Sequence, residues 1–294
     1  MLGFGLNFGT TGYETLMSGT AATAFQPLVN NRRDYTTGIG VYLSTMSAIR
    51  KQMQFIAKIY QSFGYTGDSA FASHCQQLNE DTSALENWVN QVNANPTGTY
   101  HYSNPPASVS NGMPSLQYNP PAIAATWGGS GGGAWYDLAS SSSANTTNHS
   151  NNPSNPANPI PLSEQPVLAS ITLWGQNGHY LYQIGTSYQT TSGTVQFVHG
   201  ASSGNASSAL NLRAGEFITQ INSTSGNYVN QLSFTTNFGQ SLTWPTSPQS
   251  ATVNPAWQAV DGEVLVGFQG ACGSALNQLS PVCITFKPAT WSSV

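Results

Sequence analysis

Apolar residues in the first third of the chain recur at the spacing of packed helices. In residues 41–63 they lie alternately four and three positions apart, at Tyr42, Met46, Ile49, Met53, Ile56, Tyr60 and Phe63. Residues 68–94 continue this alternation, at Phe71, Cys75, Leu78, Thr82, Leu85, Val89 and Val92. Such spacing is typical of helices that pack along one seam. Asp68 suits the N-cap of the second helix, so residues 1–95 are predicted to contain an antiparallel helical hairpin.

Apolar residues outside this seam, such as Phe55, Ala57 and Trp88, need a further cover. Two sources are open, namely residues 1–35 of the same chain and a second subunit. We favour the second source because a lone hairpin buries only one seam. Residues 1–95 are therefore expected to assemble the chain into a homo-oligomer or a larger assembly.

Two polar stretches interrupt the apolar pattern. Residues 96–123 are rich in Pro, Asn and Ser, which predicts a linker. Residues 139–163 hold a run of Ser, Asn and Thr with few core-forming residues, which predicts a flexible surface loop. The expected organisation is a helical module over 1–95, the linker, and a C-terminal domain over 124–294.

From residue 167 onward the pattern changes to short segments in which apolar and polar residues alternate. The segments are rich in Val, Ile, Thr, Tyr and Phe, and turns with Gly or Asn separate them. This pattern predicts an antiparallel all-β domain. No helical pattern lies between the segments, which disfavours a parallel α/β sheet. The whole chain is thus expected to be an α+β multidomain protein.

The charge content narrows the range of partners. Charged residues make up 6% of the chain, against roughly 25% in an average soluble domain. The seven basic residues form no track for phosphates, so no nucleic-acid partner is expected. No apolar run is long enough to span a membrane, and residues 1–19 lack the pattern of a signal peptide. The neutral polar surface favours an extracellular, cell-surface or virion-surface location.

The residues that usually carry catalysis or bind metals are few and scattered. The five histidines form no metal-binding spacing, and the glycine run at 128–133 lacks the Lys-Ser/Thr of a phosphate-binding loop. We therefore expect no catalytic residue, no metal and no cofactor, and the chain is not predicted to be an enzyme. Cys272 and Cys283 flank a predicted hairpin, and either a disulfide or two free thiols on neighbouring strands would fit.

Four segments of the C-terminal half resemble the jacalin-related lectins, in the order that this family has them. They are TWGGSGGGAWYDL at 126–138, ITLWGQNGHYLYQIGTSYQ at 171–189, LRAGEFITQINSTSGNYVNQLSFTTNFGQSLTW at 212–244 and VLVGFQGACGSALNQLSPV at 264–282. The resemblance implies a β-prism of three four-stranded antiparallel sheets with a sugar bound at one end. The N-terminal half has no such counterpart.

The resemblance also implies which residues would bind the sugar. The family's binding turn reads Gly-x-x-x-Asp, and the matching residues here are Gly273, Ser274, Ala275, Leu276 and Asn277. Asn277 replaces a carboxylate with a neutral amide, which weakens it as an acceptor. Glycines in the first segment would let the main chain approach the sugar, and a second turn would supply a ring for stacking. The candidates for these roles are Gly131, Gly132, Asn227 and Tyr228.

Two functions of different classes follow. The first is a lectin-like protein that recognises neutral glycans for adhesion, with the helical module providing several copies. The alternative is a structural subunit of an extracellular or virion assembly that uses the prism as a scaffold and binds no sugar. Depletion of charge favours the scaffold, whereas the glycine-rich strand favours the lectin.

Overall fold

The computed structural model of the chain describes residues 36–94, 107–139, 154–201 and 206–293. Its backbone contacts divide these residues into two compact units. One unit is Tyr118–Phe286 without the undescribed residues, and the other holds residues 36–94, 107–117 and 287–293. The predicted cover from residues 1–35, residues 96–106 of the predicted linker, and residues 140–153 of the predicted loop lie outside the described part.

The helical unit contains both predicted helices. Its helices are α1 (Thr36–Ser62), α2 (Ser69–Ala94) and the short α3 (Ala107–Ser110). The seam of α1 is buried from Met46 to Tyr60, and Phe71, Leu78 and Leu85 of α2 are buried as well. Side chains from both helices line one groove, among them Met53, Ala57, Cys75 and Leu78. The predicted antiparallel hairpin stays a prediction.

Asp68 caps α2 and holds two further groups. Its Oδ1 accepts a hydrogen bond from the Phe71 N–H at 2.8 Å, which is the N-cap contact predicted from the sequence. Its Oδ2 accepts from the Ala289 N–H at 2.6 Å and from the Tyr60 hydroxyl at 3.4 Å. One carboxylate thus joins both helices to the C-terminal residues of this unit.

The C-terminal residues supply a cover that the sequence pattern does not reveal. The Trp291 ring lies 4.3 Å from the His74 ring and 6.5 Å from the Phe71 ring, between centroids. Residues 287–293 group with the helices, although the sequence places them in the domain 124–294. Part of α2 is therefore covered within the chain. The predicted assembly through residues 1–95 stays a prediction.

Three antiparallel sheets make up the unit Tyr118–Phe286, as the resemblance implies, while residues 113–117 of β1 and 287–292 of β15 group with the helical unit. The first sheet contains β1 (Met113–Tyr118), β2 (Ala122–Ile123), β3 (Trp127–Gly128), β4 (Gly133–Tyr136), β14 (Glu263–Cys272) and β15 (Leu276–Ser292). The second contains β5 (Val167–Gly175), β6 (Leu181–Thr190), β7 (Gly193–Gly200) and β8 (Ala206–Asn211), in the order β7-β6-β5-β8. The third contains β9 (Ile218–Ser225), β10 (Val229–Thr236), β11 (Ser241–Trp244), β12 (Thr252–Val253) and β13 (Trp257–Gln258).

Interrupted edge strands explain why two sheets hold more than the expected four strands. In the first sheet β2 and β3 pair successive parts of β15, and in the third β12 and β13 pair successive parts of β9. The gap between β2 and β3 lies opposite Pro281, which has no N–H to donate to an edge strand. If each interrupted edge counts as one strand, each sheet has four positions, with β1 pairing the C-terminal part of β15.

The inward faces of the three sheets share one apolar core. Phe234 of the third sheet meets Phe268 of the first edge to face at 6.0 Å, and Tyr188 and Phe197 pack together in the second sheet at 6.3 Å. All four side chains are fully buried. Each such ring contributes about 1.5–3 kcal/mol by leaving water, so this core holds the turns at the ends of the sheets in place.

The disulfide that the sequence left open between Cys272 and Cys283 does not form. Both residues lie on the paired strands β14 and β15, but Cys272 faces Leu276 and Cys283 faces Leu265. Positions 265 and 272 of β14 are separated by roughly 23 Å at 3.3 Å per residue, whereas a disulfide needs Cα atoms within about 7 Å. Both residues are buried free thiols, which is the alternative that the sequence left open. Burial raises the pKa of each thiol.

Candidate functional site

The first sheet brings the glycine-rich segment and the turn 273–277 together. β3 pairs β15 through Gly128 and Gln278, and β4 pairs β14 through Gly133 and Cys272. The main chain between β3 and β4 therefore lies beside the turn between β14 and β15. We call residues 129–132, 227–228 and 273–277 the rim of the prism.

Glycines are required where the rim closes over Asn277. A Cβ atom on Gly131 would stand 2.9 Å from the Asn277 Nδ2, and one on Gly132 would stand 2.8 Å from its Oδ1. Gly132 has a φ of +86°, in the left-handed region that side chains avoid. The Asn277 amide therefore fills the space that the missing side chains leave. Three predicted site residues meet in this way.

The second predicted turn joins the rim through Gly129. A Cβ atom on Gly129 would stand 2.7 Å from the Asn227 carbonyl oxygen. Asn227 is exposed and Tyr228 is half-buried, with its ring stacked 4.5 Å from that of Tyr180. Asn227 and Tyr228 therefore belong to the same rim as Asn277, and Tyr180 is a neighbour that the sequence analysis did not single out.

The remaining predicted residues have different positions. Ser274 is exposed at the tip of the turn, where the Gly273 N–H donates to the Ala275 carbonyl at 3.0 Å. The side chains of Ala275 and Leu276 are fully buried. These two residues shape the turn from below, and their side chains do not face solvent.

The rim offers hydrogen-bonding groups that no described residue uses. Ser130, Gly131 and Ser274 are exposed, and their backbone N–H groups make no hydrogen bond to the described part of the chain. The Asn277 Oδ1 is buried and also lacks a partner there. A buried acceptor without a partner costs free energy, so a hydroxyl that reached it would relieve that cost. Unpaired donors beside a neutral acceptor suit an uncharged ligand with several hydroxyls.

A buried polar network within the prism was not foreseen. The Asp137 carboxylate, fully buried, accepts from Thr186 Oγ1 at 2.8 Å, Tyr188 Oη at 2.7 Å and His199 Nε2 at 2.7 Å. The His199 ring stacks on Trp135 at 3.8 Å. Asp137 directly follows β4, Thr186 and Tyr188 lie on β6, and His199 lies on β7. No local sequence signal could therefore place them together. All are shielded from solvent, which marks the network as structural.

Glu216 is a second buried acid whose partners were not foreseen. Its carboxylate accepts from the Arg213 Nε at 2.9 Å, from the Gln240 Nε2 at 2.6 Å and from the Thr236 hydroxyl. The hydrogen bonds from Arg213, above all, lower the pKa of Glu216 to about 2. The group ties the start of β9 to the β10–β11 turn.

Within the described residues, no three His, Cys, Asp or Glu side chains form a group that could hold a metal ion. The helices in the same part of the chain are too short or too polar to cross a membrane.

Three antiparallel sheets around one core, with glycine-lined turns gathered at one rim, place the C-terminal unit among the β-prism proteins. A family model described as the jacalin-like lectin domain matches residues 124–281. The chain therefore belongs to the jacalin-like lectin family, and the resemblance drawn from the four sequence segments is confirmed.

Solved structures of lectins are similar to somewhat more than half of the chain. A lectin from Malaysian banana is 18% identical, with a TM-score of 0.39, over 57% of this chain and 98% of that one. A mannose-binding jacalin-related lectin from Ananas comosus is 19% identical, with a TM-score of 0.40, over 55% and 96%. Artocarpin in complex with mannotriose is 17% identical, with a TM-score of 0.40, over 57% and 99%. A comparison with curated proteins gives no match.

Proposed function

We propose that the prism binds a neutral carbohydrate at its rim and that the helical unit presents several copies of it to a glycan-bearing surface. Membership of the jacalin-like lectin family supports carbohydrate binding. The observation that carries the site is the Asn277 amide under Gly131 and Gly132, with an acceptor that has no partner among the described residues. An extracellular, cell-surface or virion-surface location is part of the proposal.

The binding mode follows from the groups on the rim. Sugar hydroxyls would accept from the unpaired backbone N–H groups of Ser130, Gly131 and Ser274 and would donate to Asn277. The last contact requires a small shift of the Gly131–Gly132 main chain, since the Asn277 Oδ1 is buried beneath it. Single-site affinity is expected to be weak, because Asn277 forms neutral hydrogen bonds. Several copies on one assembly would raise the avidity.

The test compares the full chain with its Asn277→Asp variant on an array of neutral glycans, followed by calorimetric titration. The variant should bind about tenfold more tightly, since a charged hydrogen bond contributes about 1.5–3 kcal/mol and a neutral one about 1 kcal/mol. Asn211→Asp is the matched control. Asn211 pairs with Ser170 at the start of β5, at the opposite end of that strand from the turn 176–180. It adds the same charge and should leave binding unchanged.

The structural-subunit alternative gives a different result. In that case the array stays blank for the native chain at high valency, and only the Asn277→Asp variant gains binding. Such an outcome would refute carbohydrate recognition by the native protein and leave the prism as a scaffold.

A further inference from the structure

The two long helices of the helical unit carry charges of opposite sign. Helix α1 has three basic residues and no acidic one, whereas helix α2 has three acidic residues and no lysine or arginine. A chain with only seven basic residues among 294 thus places three of them on one helix. The charged residues are Arg50, Lys51 and Lys58 on α1, and Glu80, Asp81 and Glu86 on α2.

These charges do not pair with one another in the described part of the chain. Both ion pairs found there lie in the prism. Asp81 accepts a hydrogen bond from the Ser108 N–H at 2.8 Å, and the other five charged side chains on the two helices are exposed. Unpaired charges of opposite sign on two neighbouring helices are available to a partner with the complementary arrangement.

An apolar groove lies between the two helices. Met53 and Ala57 line it from α1, and Cys75 and Leu78 line it from α2. The groove has a volume of about 170 Å³, and a cavity of roughly 150 Å³ can hold a benzene ring. It is therefore large enough to receive an apolar side chain from another segment.

The charged residues border this groove. Arg50 and Gln54 line it on α1, and Lys58 lies one turn after Gln54 on the neighbouring surface of the helix. Asn79 lines the groove on α2, and Glu86 lies seven residues further on, which places it on the same side of that helix. The groove thus has a basic border on α1 and an acidic border on α2. We call the groove and its two borders the groove face.

We infer that the groove face binds the groove face of a second copy of this chain, with α1 of each copy against α2 of the other. The inference rests on the proposed function, because it names the partner through which the helical unit presents several copies. A two-fold axis that runs along the groove brings each basic border against an acidic border, so the groove face is complementary to itself. The two apolar grooves are then buried against each other.

The test measures the self-association of the full chain by sedimentation equilibrium. The native chain should form a dimer. One variant carries Arg50→Glu with Lys58→Glu, and a second carries Asn79→Lys with Glu86→Lys. Each variant alone should have a dissociation constant at least about tenfold higher, because borders of like charge then meet. An equimolar mixture of the two variants should restore the dimer, because each α1 again meets an α2 of opposite charge.

The apolar groove is tested without a change of charge by Ala57→Gln. Glutamine is a good helix former, but its longer polar side chain would occupy the groove and shift the native dimer to monomer. Ala84→Gln is the matched control. Ala84 is exposed and lies nine residues after Cys75, about two and a half turns away and thus on the opposite side of α2. The control should leave the dimer unchanged.

Several results would overturn the inference. A monomeric native chain would do so, since another protein or a segment of the same chain would then cover the groove. A dimer that withstands both charge variants, or a mixture of folded variants that stays dissociated, would also refute it. Circular dichroism shows whether each variant keeps its helices, and where a charge variant does not, the comparison of Ala57→Gln with Ala84→Gln decides.

The glycan array separates this inference from the function on which it rests. Glycan binding by a monomeric native chain would refute the groove face as a dimer contact and leave carbohydrate recognition by the prism intact. A charge-dependent dimer with a blank array would refute carbohydrate recognition and leave the dimer contact intact.

Discussion

Replacement of Asp137 by alanine should remove a large part of the stability of the prism. The carboxylate accepts three hydrogen bonds from Thr186, Tyr188 and His199, and all three donors are 3% exposed or less. Each buried donor left without a partner costs about 1–3 kcal/mol, and three donors lose their acceptor in this variant. Because Thr186 and Tyr188 share one oxygen, we expect their losses to add less than fully, so the free energy of unfolding should fall by about 4–6 kcal/mol.

Asp137→Asn gives a graded comparison. The asparagine oxygen can still accept from Thr186 and Tyr188, but its NH₂ group meets His199 Nε2, which must then become the acceptor. The imidazole proton moves to Nδ1, which has no partner in the described part of the chain. One orphaned donor corresponds to about 1–3 kcal/mol, so this variant should lie between the native protein and Asp137→Ala.

The assay is urea unfolding of the full chain, followed by tryptophan fluorescence and circular dichroism. The urea concentration at the midpoint of unfolding should fall from the native protein to Asp137→Asn and further to Asp137→Ala. The dependence of the unfolding free energy on urea concentration should stay the same, because a change confined to stability does not alter it. Ser233→Ala is the control, since it removes an exposed contact to Thr243 and should change stability by less than about 0.5 kcal/mol. An alanine variant within about 1 kcal/mol of the native protein would refute the role given to this network.

Two further predictions concern acid and thiols. The pKa of Glu216, about 2 in the folded protein, lies below the unfolded value of about 4.3. Its contribution to stability is therefore complete above that value and is lost as the pH falls towards 2. Unfolding curves at pH 5 and pH 2.5 should show a smaller difference in Glu216→Gln than in the native protein. Ellman titration should find three thiols after denaturation without reductant, whereas in the folded protein Cys272 and Cys283 should react far more slowly than the half-buried Cys75. Fewer than three thiols would contradict the strand register.

Local patterns were sufficient to predict the helices. The alternation of four and three between Met46 and Tyr60 matches the buried side of α1, and the cap by Asp68 involves a residue only three positions away. The contact of Asp68 with Ala289 could not be predicted, because the two residues are 221 positions apart. No spacing rule covers such a distance.

The site was predicted through the order of family motifs rather than through spacing. That order places Gly131, Gly132 and Asn277 together, although well over 100 residues separate them in the chain. The sequence left a disulfide between Cys272 and Cys283 open, and the strand register excludes it, because Cys272 faces Leu276 and Cys283 faces Leu265. The network of Asp137 and His199 was missed because three separate strands supply it.

The interrupted edge strands affect how readily the prism aggregates with other chains. A sheet edge is a template on which a foreign chain can add a strand, and many proteins guard it with lysines or other charges. With seven basic and eleven acidic residues among 294, this chain has few such guards. The gaps leave β2, β3, β12 and β13 only two residues long. Strands of this length are too short for a foreign chain to pair with. The gaps thereby protect these two edges, in the first and third sheets, where charged residues are scarce.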